Sequence, residues 1–184
     1  GGVINPIQVH NLKPEHVQRL IVDALAEGSQ AGNDFQELSE LVYDKTLGNA
    51  FFVNEFLKSL DAEGLLQFNF STLAWEYDVA QIKALNITDN VVELLAGKVL
   101  KLPLSTQTCL KLAACIGNEF DNLTLGVIAE DEPQAIKLAL SQALLEGLIY
   151  EEASGAYKFT HDRVQQAAYS LIPAQDKQQV HLKI

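Results

Sequence analysis

The sequence predicts a mainly α-helical chain in two parts, a helical subdomain followed by a winged-helix domain, with short β-hairpins. Three observations predict it. Apolar residues recur at i, i+3, i+4 spacing through most of the 184 residues. Two short stretches, "LLQFNFSTLAWEY" and "LIYEEASGAYKFT", instead alternate around turn residues, as hairpins do. In the second half, three helices, a hairpin and a following helix come in winged-helix order.

The opening "VINPIQVHNL" looks extended, a strand-like start leaving something absent. Pro14 suits the first turn of a helix whose Val17, Leu20, Ile21, Ala24 and Leu25 share one face. "GSQAGND" breaks that helix. A second runs from about residue 35 to 43, with Phe35, Leu38, Leu41 and Val42 as its apolar stripe. "KTLGN" separates it from a third helix, about 51 to 62, which stops before Gly64. In the first hairpin Phe68 and Phe70 alternate with polar residues, Ser71 and Thr72 suit the turn, and Trp75 and Tyr77 alternate beyond it. A linker of about ten residues, ending in "ITDN", closes this half.

From residue 90 the punctuation is sharper. Asn90 with Glu93 forms a capping-box-like start to a helix carrying Val92, Leu95, Val99 and Leu102, and Pro103 stops it. Ser105 is placed to cap "TQTCLKLAACI", with Gly117 just past its end. Asp121 or Asn122 caps a short helix to about 129. Pro133 opens a helix with Ala135, Ile136, Ala139, Leu140, Ala143 and Leu144 on a wide apolar face, closed by Gly147. Ser154-Gly155 occupies the turn of the second hairpin. Thr160 then caps a helix whose Val164, Ala167, Ala168 and Leu171 point inward before Pro173. No internal repeat is visible.

Composition bounds the chemistry. Thirteen basic against twenty-four acidic residues give a net charge of −11, a surface that repels DNA and anionic lipid unless cations cluster, and no Lys/Arg run supplies a cluster. Cys109 and Cys115 are six residues apart on one helical pattern, on different faces, and read as unpaired reduced thiols of a cytoplasmic protein. No stretch reaches the ~18 apolar residues of a membrane span. The chain lacks methionine and stops at "QQVHLKI", within a helical pattern, so it reads as a piece of a longer protein.

Catalytic signatures are missing. There is no G-x-x-x-x-G-K-[ST] to cradle a triphosphate, and no H-E-x-x-H, paired C-x-x-C or G-x-S-x-G. His10, His16, His161 and His181 are scattered, so no metal site and no catalytic residue is expected. DNA reading is equally poorly served. The helix that would enter the major groove offers Gln134, Lys137 and Gln142 among alanines and leucines, and the wing carries Glu151 and Glu152 before Lys158.

One tight ionisable cluster remains, His161-Asp162-Arg163 within "KFTHDRVQQAAYSL". With Thr160 as cap, His161 sits at the first helical position, beside free backbone N–H groups and the positive end of the dipole, an anion seat. The dipole disfavours imidazolium, so a neutral His161 can donate one hydrogen bond to a phosphate. The plainer alternative is a capped helix with Arg163 solvated and His161 packed under the wing.

"YKFTHDRVQQAAYSLI" resembles the end of the winged-helix domain in STAND-type signalling ATPases, where a Met-His-Asp-like motif opens a helix after the wing. "DKTLGNAFFVNEFLKSL" resembles the T-x-G-N-P-F-F stretch of their helical lid. "ITDNVVELLAGKVLKLP" and "CLKLAACIGNEFD" are similar to the link and first winged-helix segments. The likeness is nearest to the ATPase region of very large multidomain serine/threonine–histidine kinases that also carry a GAF domain. It covers nearly the whole chain. Ala50 stands where that family carries proline, and Thr160 where it carries methionine.

The resemblance implies a lid subdomain over 1–62, a hairpin and linker over 63–89, a winged helix over 90–173, and the start of a following helix over 174–184. It implies a regulatory fragment without enzyme activity or cofactor of its own. An upstream P-loop domain of the same chain would hold ADP or ATP with Mg, and downstream signalling domains would receive the nucleotide state. His161 would contact the β-phosphate, and Gly48 and Asn49 would lie near the adenine. A protein-docking module with no nucleotide role, its apolar faces binding partner helices, is the alternative.

Overall fold

The computed structural model describes residues 10–26, 35–84 and 90–182. The chain divides into two compact units, Gly1–Val91 and Val92–Ile184. Its fold is mainly α-helical with a few short antiparallel strands, a helical unit followed by a winged-helix-like one.

The first unit contains α1 (Pro14–Ala26), α2 (Gln36–Thr46), α3 (Ala50–Ala62), β1 (Leu66–Asn69), β2 (Ala74–Tyr77) and α4 (Val79–Ala84). Helix α2 is central, touching α1, α3 and α4. Its expected stripe of Leu38, Leu41 and Val42 is buried, with Phe35 buried just ahead of the first turn. The helix runs on to Thr46 because its two buried hydroxyls are satisfied within it, Ser39 donating to the Phe35 carbonyl and Thr46 to that of Val42, both at 2.7 Å. Facing it are Val17, Ile21 and Leu25 of α1 and Phe52, Val53, Phe56 and Leu60 of α3, all buried. Each such side chain contributes roughly 1.5–3 kcal/mol of burial. Ala24, expected on the same face, is exposed.

The turn from α2 to α3 is the tightest point of this unit. Leu47 and Gly48 both take positive φ, 48° and 72°. The Gly48 carbonyl accepts from Leu12 N at 2.7 Å, and the Leu47 carbonyl from Asn11 Nδ2 at 3.0 Å. The segment leading into α1 is thereby tied to the far end of α2. A Cβ on Gly48 would stand 1.9 Å from the Leu12 carbonyl oxygen, so only glycine fits.

Two expectations for this half need revision. The "linker" begins with helix α4, opened by Asp78, whose Oδ1 accepts from Ala80 N (2.8 Å) and Gln81 N (3.1 Å). Phe70 lies in the hairpin turn rather than in a strand, because Asn69 Oδ1 accepts from Ser71 N and folds the chain there. The strand-like start and the "GSQAGND" and "ITDN" breaks fall on 1–9, 27–34 and 85–89, outside the described residues apart from Asn90, which directly precedes α5; 10–13 is irregular.

The second unit contains α5 (Val91–Leu100), α6 (Leu104–Ile116), β3 (Glu119–Phe120), α7 (Asn122–Ala129), α8 (Pro133–Leu145), β4 (Ile149–Glu151), β5 (Tyr157–Phe159), α9 (Asp162–Ser170) and α10 (Ala174–His181). The sheet order is β3-β5-β4, all antiparallel, with Phe120 opposite Tyr157 and Ile149 opposite Phe159. A strand between α6 and α7 that pairs with the second strand of the wing is a winged-helix-like topology. The two-residue β3 leaves no signal in the local sequence. It is too short for an alternating pattern, and its partners lie 37 and 39 residues on.

Helix α6 is the axle of this unit, packing on α7, α8, α9 and α10. Leu110, Ala113, Leu125, Ile136, Leu140, Tyr157, Phe159, Val164 and Ala167 fill its core, while Ala135 is exposed and Leu144 half-buried. Buried Thr106 donates to the Ala139 carbonyl at 2.7 Å, fastening α6 to α8. Ser105 is not the cap of α6. Pro103 precedes a helix already begun at Leu104, and no side chain caps it. Asp121 does cap α7, accepting from Thr124 N and Thr124 Oγ1 at 2.8 Å each. Those two bonds hold its carboxyl below the usual range, the backbone N–H first.

Sequence inspection found no repeat, yet the same device occurs in both units. At the end of α3, Leu65 N donates to the Leu60 carbonyl and Gly64 N to that of Asp61; at the end of α8, Leu148 N donates to Ala143 and Gly147 N to Leu144. These are paired 6→1 and 5→2 closures around a left-handed glycine, Gly64 at φ 70° and Gly147 at φ 66°. A hairpin and a side-chain-capped helix follow each time. The two segments share little beyond Glu-Gly-Leu.

Substitution separates steric from conformational demand. Gly48→Ala should cost several kcal/mol, read by denaturant unfolding through the fluorescence of Trp75 in the same unit. Gly147→Ala meets no atom within 4 Å and should cost only the about 1–2 kcal/mol of a left-handed alanine, read by circular dichroism.

Candidate functional site

The His-Asp-Arg cluster lies where strand β5 gives way to helix α9. Thr160 does not cap that helix. Its N–H and hydroxyl both reach back to the end of α8: Thr160 N to the Leu148 carbonyl (3.1 Å), Oγ1 to those of Gly147 (3.0 Å) and Leu148 (3.2 Å). With that hydroxyl committed, the cap moves one residue along, to His161. Its backbone is extended, and Nδ1 accepts from Arg163 N at 3.1 Å. Thr160 therefore fixes the position of His161 by anchoring it to the glycine turn that closes α8.

His161 Nδ1 also faces the Asp162 carboxylate. The two contacts need different proton states: a bare Nδ1 accepts from the Arg163 amide, and a protonated one donates to Asp162. In both the bare-Nδ1 tautomer and the imidazolium, Nε2 carries a proton. The half-exposed ring therefore carries a donor nitrogen in both states. The neighbours are less favourable to an anion. Asp162 is exposed, and its charge sits at the mouth of the helix. Arg163 turns along the helix, its Nη1 2.8 Å from Gln166 Oε1. The residues present thus offer a phosphate one hydrogen-bond donor from His161, opposed by the carboxylate of Asp162.

Gly48 and Asn49 belong to the other unit. The groups of this turn are already engaged: Gly48 N with Thr46 Oγ1 (3.3 Å), the Gly48 carbonyl with Leu12 N, and Asn49 Oδ1 with Phe52 N (2.9 Å), capping α3. A ligand would find shape here more than hydrogen bonds.

Sequence reading gave the first hairpin no functional role. Its register sets Phe68 directly opposite Trp75, and the Phe68 ring lies edge-on to both Phe70 (5.1 Å) and Trp75 (5.5 Å). Phe70 is 83% exposed, whereas Phe68 and Trp75 are half-buried. The signal that could have revealed this was an aromatic residue inside a turn. Among the described residues, no group of three His, Cys, Asp or Glu side chains could hold a metal ion, and no helix is long and apolar enough to cross a membrane.

The chain is 31% identical over 216 aligned positions to a Dictyostelium discoideum protein named hybrid signal transduction histidine kinase G. The alignment covers 97% of this chain but only 6% of that relative's length. No family model matches the chain, and no solved structure does.

Both cysteines lie on α6 as free thiols, Cys109 buried and Cys115 half-buried. Burial, reinforced by the negative charge of Asp131, pushes the Cys109 thiol from an ordinary 9.0 up to about 11. Burial also raises Cys115, with Lys177 pulling the other way. The folded chain therefore keeps the Cys109 proton over a range in which the unfolded chain releases it. That stability is complete below pH 9 and is lost as pH rises from 9 towards 11, by roughly 2–3 kcal/mol. Denaturant midpoints across this window should fall more steeply for the wild type than for Cys109→Ala.

Proposed function

We propose that this chain is a regulatory, non-catalytic segment of a large cytoplasmic signal-transduction protein of the kinase class, one that responds to ADP or ATP held by a P-loop domain elsewhere in the same protein. The observation that carries the signalling role is the similarity along almost its whole length to a small part of a hybrid signal transduction histidine kinase. Nucleotide sensing is supported by the chemistry of one group, His161, a side-chain cap with a donor nitrogen at the positive end of α9.

In this reading His161 donates Nε2–H to the terminal phosphate of ADP, and the Gly48-Asn49 turn lies alongside the adenine. With nucleotide and Mg bound, the phosphate supplies the negative charge that His161 addresses. A nucleotide that contacts His161 in one state and not the other shifts the balance between states by the difference. Since His161 is tied through Thr160 to the end of α8, that difference acts on the wing and on its supporting helix together. Nucleic acid plays no part: the exposed face of α8 presents Leu138 and Leu145, and the cation of Lys158 lies 3.8 Å from the Glu152 carboxylate on the wing.

The test is the ADP affinity of the full-length protein with wild-type His161, His161→Ala and His161→Asn. Asparagine keeps a cap acceptor while removing the imidazole. Both variants should lose about 0.5–1.5 kcal/mol, roughly 2- to 12-fold, and only His161→Ala should also lose stability. Unchanged affinity in both would reduce the cluster to a helix cap. The isolated chain should show no ATP hydrolysis.

A further inference from the structure

The tip of the β1–β2 hairpin is built against the usual chemistry of turns. Most hairpin tips are polar, and their positive-φ positions go to Gly, Asn or Asp. The second hairpin obeys, with Gly155 at φ 84°. The first places Leu73 at φ 50°, a left-handed conformation costly for a branched side chain, and Phe70 in the same turn at 83% exposure. Leu73 is itself 38% exposed, so core packing does not account for it. Phe70, Phe68 and Trp75 form a chain of edge-to-face rings running from the tip into the hairpin. Aromatic side chains grouped in this way are the residue type that anchors protein interfaces.

Charge narrows the occupant. Residues 61–84 carry the exposed carboxylates of Glu76, on β2, and of Asp61, Glu63 and Asp78, at the base of the hairpin, against the single amine of Lys83, so a segment lying along the hairpin from its tip meets acidic charge. A phosphate-bearing polymer or an anionic lipid surface would be repelled, and so would a second copy of a chain carrying −11. A Lys or Arg side chain is favoured twice, by the carboxylates and by the face of an exposed ring. We propose that the Phe70–Leu73 tip is a docking surface for a basic, amphipathic segment of a partner protein, whose cations lie over Phe70 and among the carboxylates and whose apolar residues pack on Leu73 and Trp75. The proposal is independent of the nucleotide reading of His161, which belongs to the other unit.

The chain carries one tryptophan, Trp75, so its emission reports directly on this surface. A 14-residue peptide of leucines and lysines at helical spacing, titrated at low salt, should change that emission saturably, and the effect should fade as salt is added. The same peptide with glutamates for lysines should leave it unchanged. Phe70→Ser, at a site already exposed, should weaken the lysine peptide at least about fivefold with the circular dichroism unaltered. Leu73→Gly should weaken it while raising the thermal midpoint, since the left-handed turn is relieved. No response to the lysine peptide, equal binding of the glutamate peptide, or indifference to Phe70→Ser would overturn the proposal. Binding of phosphatidylserine vesicles that depends on Phe70 would reassign the surface to membranes. A Phe70-dependent dimer in sedimentation would reassign it to self-association.

Discussion

A helix can hand the chain to a hairpin only if its last carbonyls are satisfied while the backbone reverses. In this protein two left-handed glycines meet that constraint. Gly64 and Gly147 let the following N–H groups fold back onto Leu60 and Asp61, and onto Ala143 and Leu144. Everything placed downstream inherits the geometry. Leu66 and Ile149, each two residues after its glycine, are almost fully buried, both 2% exposed, so each closure also aims an apolar side chain into its core. Gly147 and Leu148, whose N–H groups make the closure of α8, then serve a second time through their carbonyls, as acceptors for Thr160. The end of α8 thereby organises the far end of the wing as well as its beginning.

That second use explains why the candidate cluster was only partly legible. His161, Asp162 and Arg163 stood out in the sequence because three ionisable groups opened an apolar-periodic helix. Threonine is a better intrinsic cap than histidine, so local propensity put the cap at Thr160. The hydroxyl went instead to a partner 13 residues upstream, a preference that no local window contains. The same distinction runs through the fold. Pro14, Asp121, Pro133 and Ser154-Gly155 act on their own neighbours and were readable. Strand β3, the Asn11–Leu12 clamp on the Leu47-Gly48 turn, and the Thr106 bond to Ala139 depend on partners 33 to 39 residues away and were not.

Gly48 shows the same limit from the other side. "T-L-G-N" is legible as a turn, and the left-handed glycine within it follows from local sterics. The reason no other residue fits is the Leu12 carbonyl, which would meet any Cβ. A local motif thus holds a non-local clamp, and a motif resemblance alone does not distinguish a glycine kept for a ligand from one kept for its own backbone. Asn49 is similarly committed, its side-chain oxygen spent on the first turn of α3.

The His161 region and the first hairpin differ in what their energetics ask of the chain. Around His161 each group has a structural use: Nδ1 completes the first turn of α9, Thr160 joins wing to helix, and Gln165 Nε2 donates to the Ala114 carbonyl at 3.1 Å, locking α9 to α6. A ligand there would act on a framework already fastened, so even one hydrogen bond to His161 would be felt through the strand and both helices. The first hairpin is the reverse case. Phe70 could be serine without loss to the core, and Leu73 would sit more easily as glycine. Apolar groups kept at a conformational cost, where burial returns little, are explained by contacts the isolated chain does not make.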